Sequence, residues 1–170
     1  MLSFIGVIWG LTGVAGILIF AIIRLSSHVI DLFYMSLTML HIASLICWVV
    51  FMVYTEGFKG FQQRFSPRVA SRCWFLFNHP HILCVALAPL YVVGFIHATL
   101  RRKVISYLVT LLIFIAVNMA AELPQPWRGI LDAGVVAGLC WGLISLIVMS
   151  IHAFWQKKIL VDPEIPQLEH

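Results

Sequence analysis

The chain has 170 residues, 62% hydrophobic and 11% charged, with a formal net charge of +4 and a mean hydropathy of +1.01. A soluble domain holds ~45–50% apolar and ~25% charged residues, and disorder requires the opposite bias, so both classes are excluded. What remains is an all-α integral membrane protein, a single domain over residues 1–167. Leu168-Glu169-His170 has the composition of an expression-tag scar.

A spanning helix needs about 20 apolar residues to cross a ~30 Å hydrocarbon core. Residues 2–23 meet this requirement and are closed by Arg24. No basic region precedes them, so they read as a retained span rather than a signal peptide. Residues 32–55 form the second expected span, with His41 inside it.

Residues 57–77 differ. Phe58, Phe61, Phe65 and Val69 recur at helical spacing, while Lys59, Gln62, Gln63, Arg64, Arg68 and Arg72 fall mostly on the other side. That pattern predicts an amphipathic helix lying in the headgroup plane, broken at Ser66-Pro67. Asn78-His79-Pro80 then reads as a helix start, giving a third span over 79–99 that Pro89 kinks. Residues 104–121 and 133–155 are the fourth and fifth spans. Between them Pro124 and Pro126 forbid a continuous helix, and Trp127 suits an interface. The expected fold is a five-helix transmembrane bundle with one interfacial helix between the second and third spans.

Five spans put the termini on opposite sides. Lys59, Arg64, Arg68, Arg72 and Arg128 then share the N-terminal side, and Arg24, Arg101, Arg102, Lys103, Lys157 and Lys158 the other. The second set sits in short loops at helix ends, where basic residues mark the cytoplasmic face. The expectation is a bacterial inner membrane, N-terminus outside and C-terminus cytoplasmic.

Small residues supply a packing signal. Gly134, Gly138 and Gly142 stack on one face, as do Gly6 and Gly10, continued by Gly13 and Gly16. Such faces admit a close neighbouring backbone. They predict packing of the first span on the last, or a homo-oligomer through the glycine faces.

Ionisable groups at depth are functional candidates. His41 is the deepest by this reading, and Asn118, Glu122, Arg128 and Asp132 bracket the Pro-rich turn. Together they frame a ligand site between helices. His41 and His97 are the alternative pair, as axial ligands of a haem or partners of a quinone. His28, His97 and His152 gather on one side in the five-span topology, but no Cys or carboxylate completes a metal-ligand spacing. Cys47, Cys73, Cys84 and Cys140 contain no CxxC pair and read as free thiols, with a Cys73–Cys84 bridge as the alternative. Nucleophile-elbow, Walker, HExxH and dinucleotide-binding motifs are absent, and no basic, aromatic-interleaved surface suggests nucleic acid.

Three functional readings follow. One is a non-enzymatic multi-pass protein binding or transporting a small molecule. The second is a redox protein using His41 and His97. The third is an assembly subunit that binds a partner through its glycine faces.

Overall fold

The computed structural model describes residues 1–164, so the terminal Leu168-Glu169-His170 lies outside the described residues. Among those residues the chain is helical, without strands. Helix α1 runs Leu2–Asp31 and passes into a 3₁₀ turn, Leu32–Tyr34. Helix α2 (Met39–Met52), a π-helical segment (Val53–Phe65) and α3 (Ser66–Asn78) form one continuous rod of 40 residues. Two short helices follow, α4 (Ile82–Ala86) and α5 (Ala88–Val93). Helices α6 (Leu100–Ala121) and α7 (Trp127–Gln156) complete the fold. Four of these units are long and apolar enough to cross a membrane: Leu2–Tyr34, Met39–Asn78, Leu100–Ala121 and Trp127–Gln156.

The rod replaces the expected flat connector. Residues 57–77 do not form a separate helix; they stand upright against α7. Gly57 and Gly142 make this possible, since a Cβ at either would fall 3.0 Å or less from Trp141 or Phe61, respectively. Pro67, which has no N–H to give the preceding turn, does not break the rod. It lies where π-helix passes to α-helix.

The expected third span over 79–99 is not one helix. Leu87 leaves helical geometry before Pro89, and Gly94 closes α5 at φ +98. A side chain at Gly94 would be strained at that φ, and its Cβ would meet Arg102 Nε at 2.9 Å. Asn78 caps nothing downstream; its amide donates backwards to the Trp74 carbonyl. The segment runs along α1 and turns back. Val85 packs at Gly6, Ala88 and Val92 at Gly10, and Pro89 at Gly13, after which residues 96 and 97 come back to Arg72.

The contacts fix the directions. His41 and Trp48 meet the start of α7, and Trp74 meets Phe154 near its end, so rod and α7 run parallel. Helix α1 is antiparallel to both: Gly6 lies near Leu76 of α3, and His28 near Gly129 of α7. The start of α1 and the end of α7 therefore share one end of the bundle, contrary to the opposite placement that five crossings require. The core gathers Val7, Val14 and Leu18 of α1 with Val69, Cys73 and Leu76 of α3, Tyr91 and Val92 of α5, and Leu146 of α7. Helix α6 buries only Arg102 and Ser106 and exposes its remaining apolar length.

Candidate functional site

Two sites stand at opposite ends. The first lies where α2 meets the start of α7. Gly134 has no Cβ to collide with Trp48, whose indole lies 2.5 Å from where one would be. Trp48 Nε1 donates to the Leu131 carbonyl at 3.1 Å. Beside this contact lies an open cleft of about 790 Å³. Trp48, Phe51, Trp127, Leu123, Ile130 and Leu131 line it, together with Ser44 and Cys47.

The expected ligand residues surround this end unevenly. His41 is not deep in a span. It is the third residue of α2, where its Nδ1 accepts the Thr38 N–H at 3.3 Å and its ring meets Trp127 edge-on at 5.0 Å. The span begins later than expected because α1 continues to Asp31, pushing the turn to residues 32–38. Arg128 donates to the Ala121 carbonyl and lies 4.0 Å from Asp132, which is buried with Oδ2 lacking a hydrogen-bond partner. Glu122 is exposed beside Leu123 of the cleft wall. Asn118 is turned back on its own helix, donating to the Phe114 carbonyl.

The structure does not join His41 and His97. His97 packs on Tyr91 beside Arg72, 31 residues farther along the rod than His41. At 1.2–1.5 Å per residue this is roughly 40 Å or more, whereas axial haem ligands face each other across one iron. His28 sits at the cleft end, where its carbonyl accepts from Gln125; His152 sits near the end of α7 beside Gln156. The three histidines expected on one side are thus divided between the ends. Among the described residues no cluster of His, Cys, Asp or Glu is arranged for a metal, and all four cysteines are free.

The glycine faces are occupied from within. Trp48 fills the space at Gly134, Glu56 and Met52 lie at Gly138, and Phe61 at Gly142; Val85, Ala88 and Val92 cover Gly6 and Gly10. Helix α1 meets α7 through other residues: the His28 carbonyl lies at Gly129, and Leu146 joins Val14 and Leu18 in the core, with a cavity left between Leu11, Ala15, Leu146 and Ser150.

The second site was absent from the sequence expectations. Arg72 is fully buried. Its Nε donates to the Tyr91 carbonyl at 2.7 Å, Nη1 to Pro163 at 2.7 Å, and Nη2 to Ile96 and His97 at 2.9 Å each. The guanidinium also lies over the Tyr91 ring, 4.5 Å from its centroid. Next to it Ser71 Oγ accepts the N–H groups of Leu160 and Val161 at 3.0 Å. Glu164 lies 3.9 Å from Arg68 and 4.0 Å from Arg102, and its carbonyl accepts the Thr99 N–H. A sequence signal for Arg72 existed: it sits inside the i, i+3, i+4, i+7 stripe of Val69, Cys73 and Leu76, where the buried face of α3 runs.

No protein-family model, no curated protein and no solved structure matches this chain.

Proposed function

We propose that this is a multi-pass membrane protein that holds an amphipathic small molecule in the cleft between α2 and α7. The cleft carries the reading. Its volume of about 790 Å³ is within the ~300–1,000 Å³ range of small-molecule sites. Its aromatic and aliphatic wall suits the apolar part of a ligand. His41 touches the wall residue Trp127, and Glu122 and Arg128 adjoin the wall residues Leu123 and Trp127, so they suit a polar headgroup, with Asp132 restraining Arg128 and Asn118 one turn away on α6. A haem shared by His41 and His97 is dropped, because the two stand at opposite ends.

The same reading orients the protein. Seven of the 11 basic side chains (Arg68, Arg72, Arg101, Arg102, Lys103, Lys157 and Lys158) belong to the end that also carries the start of α1 and the end of α7, against Arg24 and Arg128 towards the other. The near tie of the five-span count becomes a strong bias, and basic residues mark the cytoplasmic face. Both termini are therefore cytoplasmic, and the cleft opens near the outer leaflet.

Native mass spectrometry of the detergent-extracted protein tests binding. A retained lipophilic mass is expected, and Cys47→Trp, which fills the cleft, removes it. A bare wild-type protein, or retention unchanged by Cys47→Trp, overturns the reading. Reporter fusions at each terminus should both report the cytoplasm.

A further inference from the structure

We infer that the exposed polar face of the π-helical segment is the contact surface for a second copy of this chain. The inference rests on the membrane reading above and adds a surface that the cleft does not use.

Glu56, Lys59, Gln63 and Arg64 are all exposed on the rod, and Gln62 beside them accepts the Trp141 indole N–H at 2.8 Å. Their height in the bundle is decisive. Trp127 and Trp155, both exposed, stand at the two ends of α7. The 28 residues between them span ~42 Å, which matches a bilayer with its interfaces, ~40–45 Å. Tryptophans at both ends fit the two aromatic belts. Trp141 is midway between them. Glu56 lies against Gly138, one turn to one side of it, and Phe61 against Gly142. Two bases, an acid and two amides are therefore concentrated at mid-height, where Leu108, Leu111, Leu112 and Phe114 of α6 present hydrocarbon to the surroundings.

Such groups do not face acyl chains. They stand more than a turn from either end of α7, beyond the helix termini where long basic side chains reach the headgroups. Within the chain their neutralisation is incomplete: Lys59 lies over the Tyr54 ring at 4.7 Å, and none of the described ion pairs includes Glu56, Lys59 or Arg64.

The acid, one base and the amides of this face complement themselves across a two-fold, which is why the occupant is a second copy. Two copies related by a two-fold axis along the membrane normal bring equal heights together. Glu56 then reaches Lys59 of the partner subunit, three residues further along the rod. Gln63 meets Gln63 of the partner subunit, and carboxamides both donate and accept, so they bond across a helix pair in an apolar medium. The glycine faces, filled internally, are not required.

The test is cysteine cross-linking in native membranes. Cys47 and Cys140, the exposed thiols, are replaced by serine, and Gln63→Cys is compared with Leu112→Cys on α6. Oxidation should give a disulfide dimer of Gln63→Cys several-fold above the control. Glu56→Lys should reduce that dimer, and Glu56→Lys with Lys59→Glu should restore it; recovery in the double variant separates lost pairing from misfolding. Three results overturn the inference: no dimer above the control in protein that resists alkaline extraction, a cross-link to a different protein, or ready labelling of Gln63→Cys by a membrane-impermeant thiol reagent, which would make the face a water-filled groove. Release of the protein by alkaline extraction would instead sink the membrane reading itself.

Discussion

The two ends of the bundle solve different problems with different residues. At the basic end the backbone between α3 and α6 is irregular, and three of its carbonyls, with a fourth from Pro163 after α7, are taken by one guanidinium, that of Arg72. At the cleft end the helices are regular up to their termini. They close with local devices such as the His41 contact to Thr38 and the Gln125 side chain, which accepts the Gly129 N–H and donates to the His28 carbonyl. Burial keeps water from stray carbonyls, so non-helical backbone is buried only where protein supplies donors. An apolar cleft carries no such demand. One end is consequently closed by polar groups, and the other is left open.

The largest expected effect breaks that contrast at its strongest point. Arg72→Ala strands the carbonyls of Tyr91, Ile96, His97 and Pro163 and should cost at least ~3 kcal/mol, given the desolvation penalty of unpaired buried groups and the strength of charged hydrogen bonds. Thermal unfolding in detergent measures it. Arg72→Lys should recover less than half, because an ammonium cannot reproduce the planar fork that reaches carbonyls on three sides. Full recovery by lysine would show that charge alone holds this end.

Next in size are the glycines that let the rod lie against α7. Gly142→Ala places a Cβ 2.5 Å from Phe61, and Gly134→Ala places one 2.5 Å from Trp48. Overpacking of this kind costs ~1–3 kcal/mol. Gly16 is the internal control: nothing lies within 4 Å of its Cβ position, so Gly16→Ala should be neutral or gain ~0.5–1 kcal/mol from helix propensity. A Gly134→Ala variant as stable as wild type would mean that Trp48 moves freely, and the cleft beside it would not be a fixed site.

These same residues show what the sequence made legible. Apolar length alone located helices over residues 2–23, 104–121 and 133–155, while the small-residue spacing marked a close-packing face of α7 but named the wrong neighbour, the first span instead of the rod. Apolar length did not show where chain direction reverses. Residues 79–99 have the hydropathy of a span, but Pro80, Pro89 and Gly94 interrupt the hydrogen-bond ladder every few residues, and tertiary contacts to Gly6, Gly10 and Gly13 stabilise the broken path. Residues 57–77 have the amphipathicity of a surface helix. Their apolar stripe could equally face α7, and local periodicity does not choose between lipid and protein. At the candidate cleft, His41, Glu122 and Arg128 were identifiable as polar groups in an apolar chain. The wall residues Trp48 and Trp127 were not, since which side chains converge depends on the parallel run of rod and α7.

Ser71→Ala tests the basic end more gently. The N–H groups of Leu160 and Val161 lose a shared acceptor, at an expected cost of about 1–2 kcal/mol. Global stability registers part of this. The sharper readout is faster amide exchange at residues 160–161 and earlier proteolytic release of the C-terminal segment. Unchanged exchange would mean that the Arg72 contact to Pro163 anchors the segment by itself.

The smallest expected effect is that of Glu164→Gln, and it discriminates best between the two accounts of the basic end. Glu164 is 37% exposed, and its carboxylate stands 3.9 and 4.0 Å from Arg68 and Arg102, too far for hydrogen bonds of good geometry. Partly exposed pairs at such distances contribute ~0.5 kcal/mol or less. The substitution keeps the Glu164 backbone, whose carbonyl accepts from Thr99 and whose N–H donates to Asp162. Stability should therefore fall by no more than a few tenths of a kcal/mol, and raising the salt concentration should change wild type and variant alike. A loss comparable to that of Arg72→Ala would reverse the comparison: the basic end would then be held by a carboxylate that neutralises clustered arginines, and the carbonyls around Arg72 would be a consequence of that clustering rather than its cause.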